Sequence, residues 1–305
     1  MKVAKTIKEV RSHIKAARSQ GKKIGFVPTM GALHIGHISL IKRAVKDTDY
    51  VVVSIFVNPT QFAPGEDFEK YPRPIEADLK ICEEHGVDLV FNPSPKEMYK
   101  AENSTREIES CRAVSSCIEA GYLTGLTWVN VEKLTEPLCG RFRPGHFRGV
   151  TTVCAKLFNI VMPDVAYFGQ KDAQQAIVIK RMVADLNMPL EIVICPTVRE
   201  PNGLAISSRN QYLSDQQKKD AALIYKSLQK CQKMIDSGFT NTKEIISQMQ
   251  KILQQAASIE IEYISIVDAE TLQNLDQIYG KILAAVAAKI GSTRLIDNIL
   301  IDTRK

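Results

Sequence analysis

The sequence predicts an α/β protein in which a doubly wound parallel sheet is followed by a smaller α+β domain. A length of 305 residues corresponds to two domains at about 150 residues each. Short apolar segments alternate with amphipathic segments of helical length, which is typical of βαβ units. The apolar segments contain few polar residues, as expected for strands covered on both faces of a parallel sheet.

The N-terminal elements follow one another closely. A helix is predicted from Thr6 because Thr6 and Glu9 can form a capping box, and apolar residues then recur at helical spacing up to Gly21. Apolar runs and helical patterns alternate beyond it, separated by Gly or Pro. The predicted order is strand 24–27, helix 36–47, strand 50–57, helix 74–85 and strand 87–91.

The same alternation resumes after an irregular segment. Residues 100–126 are polar, contain Cys111 and Cys117 and fit no strand rhythm, so we expect an insertion on the surface of the first domain. Within it, apolar spacing predicts a short amphipathic helix at 112–121. The first domain, a Rossmann-like fold, is expected to span residues 1–197. Its later elements are helix 147–161, strand 164–168, helix 172–187 and strand 190–198.

The C-terminal part has a different character. Two long polar helices precede three strand-like runs, an order that predicts a smaller α+β domain over residues 198–305, which we expect to act as a lid. Residues 199–212 are polar and rich in turn formers, as in a hinge or an active-site loop. The predicted elements are helices 214–238 and 241–257 and strands 259–268, 281–289 and 294–301.

Composition excludes several classes of protein. The net charge of +6 favours an anionic ligand such as a nucleotide but is too small to indicate a nucleic-acid-binding protein. Seven cysteines without a CxxC pair indicate free thiols, so we expect a cytoplasmic protein. The longest apolar stretch, residues 50–57, is shorter than the ~18 residues that a membrane span needs. The N-terminus lacks the apolar core of a signal peptide.

The strongest chemical signal follows the first predicted strand. Residues 28–37 read Pro-Thr-Met-Gly-Ala-Leu-His-Ile-Gly-His and lead into a helix, where free N–H groups and glycines suit a phosphate. His34 and His37 are three positions apart and can both donate hydrogen bonds to phosphate oxygens. The alternatives are two exposed loop histidines and a zinc site, for which the sequence offers no nearby third ligand.

This HxGH segment resembles the signature of the adenylyl-transferring superfamily, which includes class I aminoacyl-tRNA synthetases and small nucleotidyltransferases. Further segments narrow the resemblance to the pantoate–β-alanine ligase (pantothenate synthetase) family, in order and over nearly the whole chain. They are FVNPTQF at 56–62, YPR at 71–73, RPGHFRGV at 143–150, FGQKDAQQ at 168–175, REPNGLAISSRN at 199–210 and RLIDN at 294–298.

The resemblance implies an ATP-dependent ligase of vitamin B5 and coenzyme A biosynthesis. ATP would adenylate the carboxylate of (R)-pantoate and release pyrophosphate, and the β-alanine amine would then displace AMP to give pantothenate. Because a carboxylate is a poor electrophile, the enzyme's contribution is to position the reactants and to stabilise charge. Mg²⁺ would be held mainly by the ATP phosphates, with no metal site made of protein ligands. The resemblance also implies a homodimer.

The resemblance assigns site residues as well. His37 stands at the position assigned as proton donor, with His34 beside it, although a hydrogen-bond donor aimed at the phosphates is physically sufficient. Gln61 and Gln175 would bind pantoate, and Gln61 would also lie near β-alanine. Val198 would contact adenine through its backbone. The ATP-binding residues would be Met30, Gly31, Ala32, Leu33, His34, Ile35, Gly36, His37, Gly169, Gln170, Lys171, Asp172, Val198, Ile206, Ser207, Ser208 and Arg209.

Two positions are weaker candidates, and two features depart from the family pattern. Arg143 could neutralise the nucleotide or the acid, and Asp78 could make an outer-sphere contact to Mg²⁺. Between Tyr99 and Trp128 the chain has about twenty more residues than bacterial members, similar to insertions in eukaryotic homologues and tolerable for a surface loop. Lys289 stands where the family pattern has a bulky aromatic residue.

Two other functions stay open from the residues. A nucleotidyltransferase that builds a dinucleotide cofactor would need a separate mononucleotide signature, and the pair Gln61 and Gln175 argues against it. A tRNA-binding relative of the synthetases would need a basic stripe or an anticodon-binding domain, whereas the segment after Val198 carries mixed charge. We therefore expect small-molecule substrates and neither a nucleic-acid nor a membrane partner.

Overall fold

The structure, a computed structural model, describes residues 1–63, 66–99 and 127–304. The predicted insertion at 100–126, with its helix, lies outside the described residues. The chain divides into two compact units: Met1–Glu132, Arg143–Phe168 and Val178–Cys195 form the first, and Lys133–Phe142, Gly169–Ile177 and Pro196–Lys305 form the second. Two segments from the earlier part of the chain therefore group with the C-terminal part. The boundary near residue 197 and the role as a lid stay predictions.

The first unit contains the predicted parallel sheet. Its six strands lie in the order β1-β4-β3-β2-β5-β6, and the pairings from β1 through to β5 are parallel. The chain order reverses between β2 and β5, which places the topological switch point of the sheet there. The strands are β1 (Lys2–Ala4), β2 (Ile24–Thr29), β3 (Tyr50–Ile55), β4 (Leu89–Phe91), β5 (Val165–Gly169) and β6 (Glu191–Cys195).

Helices follow the strands as the hydrophobic spacing predicts. In α1, Thr6 and Glu9 form the predicted capping box, and Val10 and Ile14 are fully buried. Among the described residues, the helices up to β6 are α1 (Ile7–Ser19), α2 (Ile35–Asp47), α3 (Ile75–Glu84), α4 (Pro95–Met98), α5 (Cys139–Phe142), α6 (His146–Val161) and α7 (Ala173–Asp185). No helix in the described part of the chain is both long enough and apolar enough to cross a membrane.

The second unit contains the predicted α+β elements. Helices α8 (Asp215–Asp236) and α9 (Thr242–Leu253) precede an antiparallel sheet of β7 (Ile259–Asp268), β8 (Lys281–Ile290) and β9 (Thr293–Asp302). The apolar side chains of the two helices pack in one core with those of the strands. Lys289, which departs from the family pattern, forms an exposed cross-strand ion pair with Glu260 at 3.5 Å.

The structure corrects several element boundaries. The edge strand β1 was not expected, because three residues are too few to show a pattern. The predicted strand 190–198 ends at Cys195, since Pro196 has no N–H to continue a ladder. The strand predicted over 50–57 ends at Ile55. The short helices α4 and α5 were also not expected, because four-residue helices show no periodicity.

Gly149 in α6 allows close contact between this helix and the 3₁₀ turn at Pro59–Gln61. A Cβ atom at position 149 would lie 2.6 Å from the carbonyl carbon of Thr60 and 2.7 Å from the backbone nitrogen of Gln61. Backbone atoms of the turn would have to move to accommodate it. The position therefore requires glycine.

We expect Gly149→Ala to lower the free energy of unfolding by about 1–3 kcal/mol, the usual range for an overpacked site. This loss should appear although alanine favours a helix interior by about 1 kcal/mol over glycine. Urea unfolding followed by circular dichroism measures the difference. A midpoint equal to or above that of the unsubstituted protein would contradict the close contact.

Candidate active site

The HxGH loop leaves β2 at Thr29 and enters α2 at Ile35. The Thr29 hydroxyl donates to the carbonyl of Ser54 at 2.7 Å and accepts from the backbone N–H of Gly31 at 3.1 Å. These bonds tie the start of the loop to β3. Ala32 then has φ of 50°, a left-handed conformation that non-glycine residues rarely adopt. The loop therefore needs support at this point.

Asp78 on α3 provides that support. Its Oδ2 accepts from the backbone N–H of Ala32 at 2.8 Å, and its Oδ1 accepts from that of Leu33 at 2.7 Å. Asp78 is 1% exposed; burial raises the pKa of its carboxyl, and the two N–H bonds partly offset the rise. Asp78 thus holds the loop in place through both of its oxygens, while its outer-sphere contact to Mg²⁺ stays a prediction.

The two histidines of the motif form an interlocked cap on α2. His34 is the N-cap residue, and its Nδ1 accepts from the backbone N–H of Gly36 at 3.1 Å. Nδ1 of His37 accepts from the backbone N–H of His34 at 3.3 Å. The ring centroids are 4.1 Å apart. Because Nδ1 accepts in both rings, the proton of each neutral imidazole lies on Nε2, which makes Nε2–H the donor.

Gly36 makes this cap possible. A Cβ atom at position 36 would lie 2.9 Å from Cε1 and Nδ1 of His34, so a side chain there would push the imidazole away from the N–H that it accepts. Gly36 therefore leaves the space that the His34 ring needs in order to accept this hydrogen bond.

Gln61, a predicted pantoate ligand, lies in the same unit and contacts the HxGH loop. It is 8% exposed, and its Nε2 donates to Sδ of Met30 at 2.9 Å. Its Oε1 accepts from Nδ2 of Asn58 at 3.1 Å. Asn58 thereby fixes the direction of the Gln61 amide, with the oxygen toward Asn58 and the NH₂ toward Met30. The structure thus brings one predicted pantoate ligand and the predicted ATP loop together.

Asn58 itself is held by a buried network that the sequence did not reveal. Its Oδ1 accepts from the Tyr99 hydroxyl at 2.7 Å and from the Thr60 hydroxyl at 3.0 Å. Its Nδ2 also donates to the carbonyl of Gly149 at 3.2 Å. Asn58 lies inside the quoted FVNPTQF segment, so the motif contained the signal although the side chain's role required the fold.

Arg143 is engaged in an ion pair within the first unit. Its guanidinium donates to both carboxylate oxygens of Glu66, at 2.7 and 2.6 Å. Burial would raise the pKa of Glu66, but the hydrogen bonds and charge of Arg143 outweigh it, and the pKa lies below its ordinary value. Since His146 Nδ1 lies 2.8 Å from the carbonyl oxygen of Gln61, this segment supports the Gln61 turn. A direct role of Arg143 toward a ligand stays a prediction.

In the second unit, the predicted GQKD segment forms a 3₁₀ turn, Gln170–Asp172, directly after β5. Nζ of Lys171 lies 3.6 Å from Oδ1 of Asp172, and the Lys171 side chain is only 21% exposed. Nδ2 of Asn298 donates to the carbonyls of Gln170 and Lys171, both at 2.9 Å. Asn298 on β9 was not predicted as a site residue, although it lies in the quoted RLIDN segment.

The segment from Val198 to Arg209 forms a hairpin followed by a 3₁₀ turn. The carbonyl of Val198 accepts from the N–H of Ile206 at 3.0 Å, and Arg199 pairs with Ala205. Ser207 caps the turn Ser208–Tyr212 by accepting from the N–H of Arg209 at 3.3 Å. The serines and Arg209 are partly exposed, as a binding role requires.

Arg199 anchors this hairpin to β9. It donates to both oxygens of Asp297, at 2.5 and 3.0 Å, and its guanidinium lies 3.7 Å from the ring centroid of Tyr225. Asp297 is 4% exposed, and burial raises the pKa of its carboxyl although the Arg199 contacts lower it in part. The pair is therefore a buried structural anchor rather than a mobile group.

Of the adjacent glutamines on α7, Gln174 has a structural role that was not predicted. It is 6% exposed and binds the 133–142 segment, donating to the carbonyls of Leu134 and Pro137 at 3.0 and 2.7 Å. Its Oε1 accepts from the N–H of Cys139 at 3.0 Å. Gln175, the predicted pantoate ligand, is partly exposed beside it, and its role stays a prediction.

The comparisons with known proteins agree with one another. A family model described as Pantoate-beta-alanine ligase matches residues 2–300. The pantothenate synthetase of Acetivibrio thermocellus is 50% identical over 302 residues, which cover 99% of this chain and 100% of that protein. That of Thermotoga petrophila is 48% identical over 301 residues, which cover 99% and 100% of the two chains.

Solved structures give the same result. The crystal structure of pantothenate synthetase from Thermus thermophilus has a TM-score of 0.86 and 40% identity, covering 98% of this chain and 99% of that one. Pantoate-beta-alanine ligase from Francisella tularensis, complexed with beta-gamma ATP and beta-alanine, has a TM-score of 0.74 and 36% identity, with coverage of 98% and 97%. This chain belongs to the pantoate–β-alanine ligase family.

Proposed function

We propose that this chain joins pantoate to β-alanine in two steps, through a bound pantoyl adenylate. The overall reaction, the ATP-dependent condensation that forms pantothenate, is that of the family. The observation that supports the adenylation of the acid is the contact between Gln61 and Met30, which joins the proposed acid-binding residue to the proposed nucleotide loop within one unit. The Francisella enzyme, complexed with beta-gamma ATP and beta-alanine, supports ATP and β-alanine as substrates.

In the first step, a carboxylate oxygen of pantoate attacks the α-phosphorus of ATP, and the bond to the pyrophosphate oxygen breaks. Negative charge accumulates on the phosphate oxygens as this bond breaks. The Nε2–H groups of His34 and His37 are the proposed donors to these oxygens, because Nδ1 of each ring accepts a backbone N–H. Donors fixed before the reaction stabilise developing charge without reorganising, so no proton transfer from His37 is required.

The second unit is proposed to supply further groups to the nucleotide. Lys171 would contribute a positive charge, and the Ser207 and Ser208 hydroxyls with the Arg209 guanidinium would bind the pyrophosphate. Support for these roles comes from the partial burial of Lys171 and from the ordered turn that carries the serines. Val198 is proposed to contact adenine through its backbone; its carbonyl already accepts from Ile206.

Gln61 and Gln175 are the proposed pantoate ligands. A neutral amide can bind hydroxyl groups without placing a second charge near the substrate carboxylate. In the second step the β-alanine amine attacks the acyl carbon, the bond to the AMP oxygen breaks, and the amine loses a proton to become an amide. Gln61, at 8% exposure, is also proposed to help shield this reaction from water.

Mg²⁺ is proposed to bind with ATP, through the phosphate oxygens. The described residues contain no group of three or more His, Cys, Asp or Glu side chains that could hold a metal ion. Asp78 accepts two backbone N–H bonds, which leaves it suited at most to a contact through water. The ion would neutralise phosphate charge, while the protein groups bind and orient the nucleotide.

We also propose a homodimer and a cytoplasmic location. The dimer rests on the resemblance to the family, and sedimentation equilibrium tests it. The location is supported by five free cysteines among the described residues, which suit a reducing compartment.

Replacement of His37 tests the phosphate-binding role. We expect His37→Ala to lower kcat/KM for ATP by about 10²-fold or more, because a preorganised donor to developing charge is lost. The matched control is His13→Ala, which removes a histidine of α1 outside the site and should keep normal activity. Activity of the His37 variant close to that of the control would remove His37 from the mechanism.

Isotope exchange tests the order of the two steps. Labelled pyrophosphate should exchange into ATP when pantoate is present and β-alanine is absent, because the adenylate forms before the amine reacts and stays shielded from water. Omitting pantoate is the control and should abolish the exchange. A requirement for β-alanine would indicate a concerted reaction instead.

Replacement of Gln61 tests the binding of pantoate. We expect Gln61→Glu to raise KM for pantoate about tenfold or more while KM for ATP changes less, because a buried carboxylate would repel the substrate carboxylate. Asn58 can still donate to a glutamate at this position, so the turn should persist. Gln20→Glu, at an exposed position, controls for added charge. Equal rises in both KM values would indicate disruption of the loop.

A further inference from the structure

The RLIDN segment contains a side chain whose contacts point to the nucleotide-binding turn. Asn298 lies on β9, paired with Ala285 of β8, and is 4% exposed. Its two amide hydrogens meet two consecutive carbonyls, those of Gln170 and Lys171, each at 2.9 Å from Nδ2. Only the NH₂ end of the amide can donate to carbonyls, so these contacts fix its orientation.

The turn that receives these bonds, Gln170–Asp172, joins β5 to α7. It is a 3₁₀ turn of three residues that leads directly into the helix at Ala173. In addition to the local backbone bonds that define the turn, the carbonyls of Gln170 and Lys171 accept from a buried side chain on β9. The backbone from which the Lys171 side chain starts is therefore tied to that strand by Asn298.

Asn298 is itself fixed from its own backbone. Its N–H donates to Oδ1 of Asp297 at 2.8 Å, and Asp297 is held by both arms of the Arg199 guanidinium. Arg199 lies against the ring of Tyr225. The backbone of Asn298 is thus bonded to the buried Arg199–Asp297 pair. A residue that positions another has to be held in this way.

The oxygen of the Asn298 amide distinguishes this residue from an ordinary core side chain. Oδ1 of Asn298 is buried and has no hydrogen-bond partner among the described residues. An unsatisfied buried acceptor costs stability. A side chain selected for stability alone would not leave that oxygen unpaired, whereas one selected for its two donors can.

We propose that Asn298 is a positioning residue for the ligase reaction, which holds the backbone of Gln170 and Lys171 so that the Lys171 ammonium is directed to the phosphates of ATP. The proposal rests on the nucleotide-binding role of Lys171 proposed above. The RLIDN segment, which takes no part in the proposed reaction steps, thereby acquires a role. Asn298 touches no reacting atom and acts only through Lys171.

A double-mutant cycle tests the proposal, with the full chain as wild type, Asn298→Asp, Lys171→Ala and the double variant. Aspartate has the shape of asparagine but cannot donate to the two carbonyls when ionised. Asn274→Asp, at an exposed position of the same unit, is the control for charge. Asn298→Ala serves as the second variant if the aspartate variant does not fold. The KM for each of the three substrates, kcat and the unfolding midpoint are measured.

We expect Asn298→Asp to raise KM for ATP about tenfold or more, since a small displacement of a positioned group is costly, with KM for pantoate and β-alanine nearly unchanged. In the Lys171→Ala background the same substitution should change kcat/KM for ATP by no more than about twofold. Asn274→Asp should behave as wild type. A purely structural role would lower the unfolding midpoint without this selective change in KM.

Three outcomes would overturn the proposal. If Lys171→Ala impairs ATP use while neither Asn298 variant does, the positioning role is wrong and the role of Lys171 stands. If the effects of the two substitutions multiply, Asn298 acts elsewhere. If Lys171→Ala leaves ATP use unchanged, the nucleotide-binding role of Lys171 fails, and the positioning role fails with it.

Discussion

A buried carboxylate determines the course of the loop on which the first unit's chemistry depends. The N–H groups of Ala32 and Leu33 point into the protein, and Asp78 accepts both. Burial disfavours the charge, as the raised pKa of Asp78 indicates, and the charge-assisted hydrogen bonds, of about 1.5–3 kcal/mol each, offset part of that cost. His34 follows directly, so the cap on α2 and the direction of both imidazoles depend on this contact.

In the second unit, as in the first, a buried side chain holds two backbone groups in place. In the first unit a carboxylate accepts from two N–H groups, and in the second an amide donates to two carbonyls. In both cases one buried side chain bonds two consecutive backbone groups of a short segment that follows a strand of the parallel sheet. His34, His37 and Lys171, which are proposed to bind phosphates, are partly exposed, whereas the side chains that support them are buried.

The fold class could be predicted from the sequence because the buried strands and the capping box of α1 are local patterns, which do not depend on tertiary contacts. The sequence also indicated the HxGH segment, whose residue types suit phosphates, whereas the GQKD segment was assigned only through the family resemblance. The residues that support these segments could not be predicted from the sequence. Asn58 and Asn298 lie inside quoted motifs, yet their partners are far away in sequence, such as Tyr99 for Asn58 and Lys171 for Asn298. The end of β6 at Cys195 depends on a single residue, Pro196, which has no N–H to continue the strand pairing.

Helix α6 lies closest to the turn that carries Gln61 at Gly149, where backbone atoms of Thr60 and Gln61 face the helix. The side chains of Asn58 and His146 bond across the same contact. Within α6 only Arg148 and Asn159 are exposed, so substitutions there can accumulate without changing the spacing between the helix and the turn. Adaptation to a new temperature can use these two surface positions, whereas the glycine at 149 has to be kept, because a Cβ atom there would displace the turn that carries Gln61.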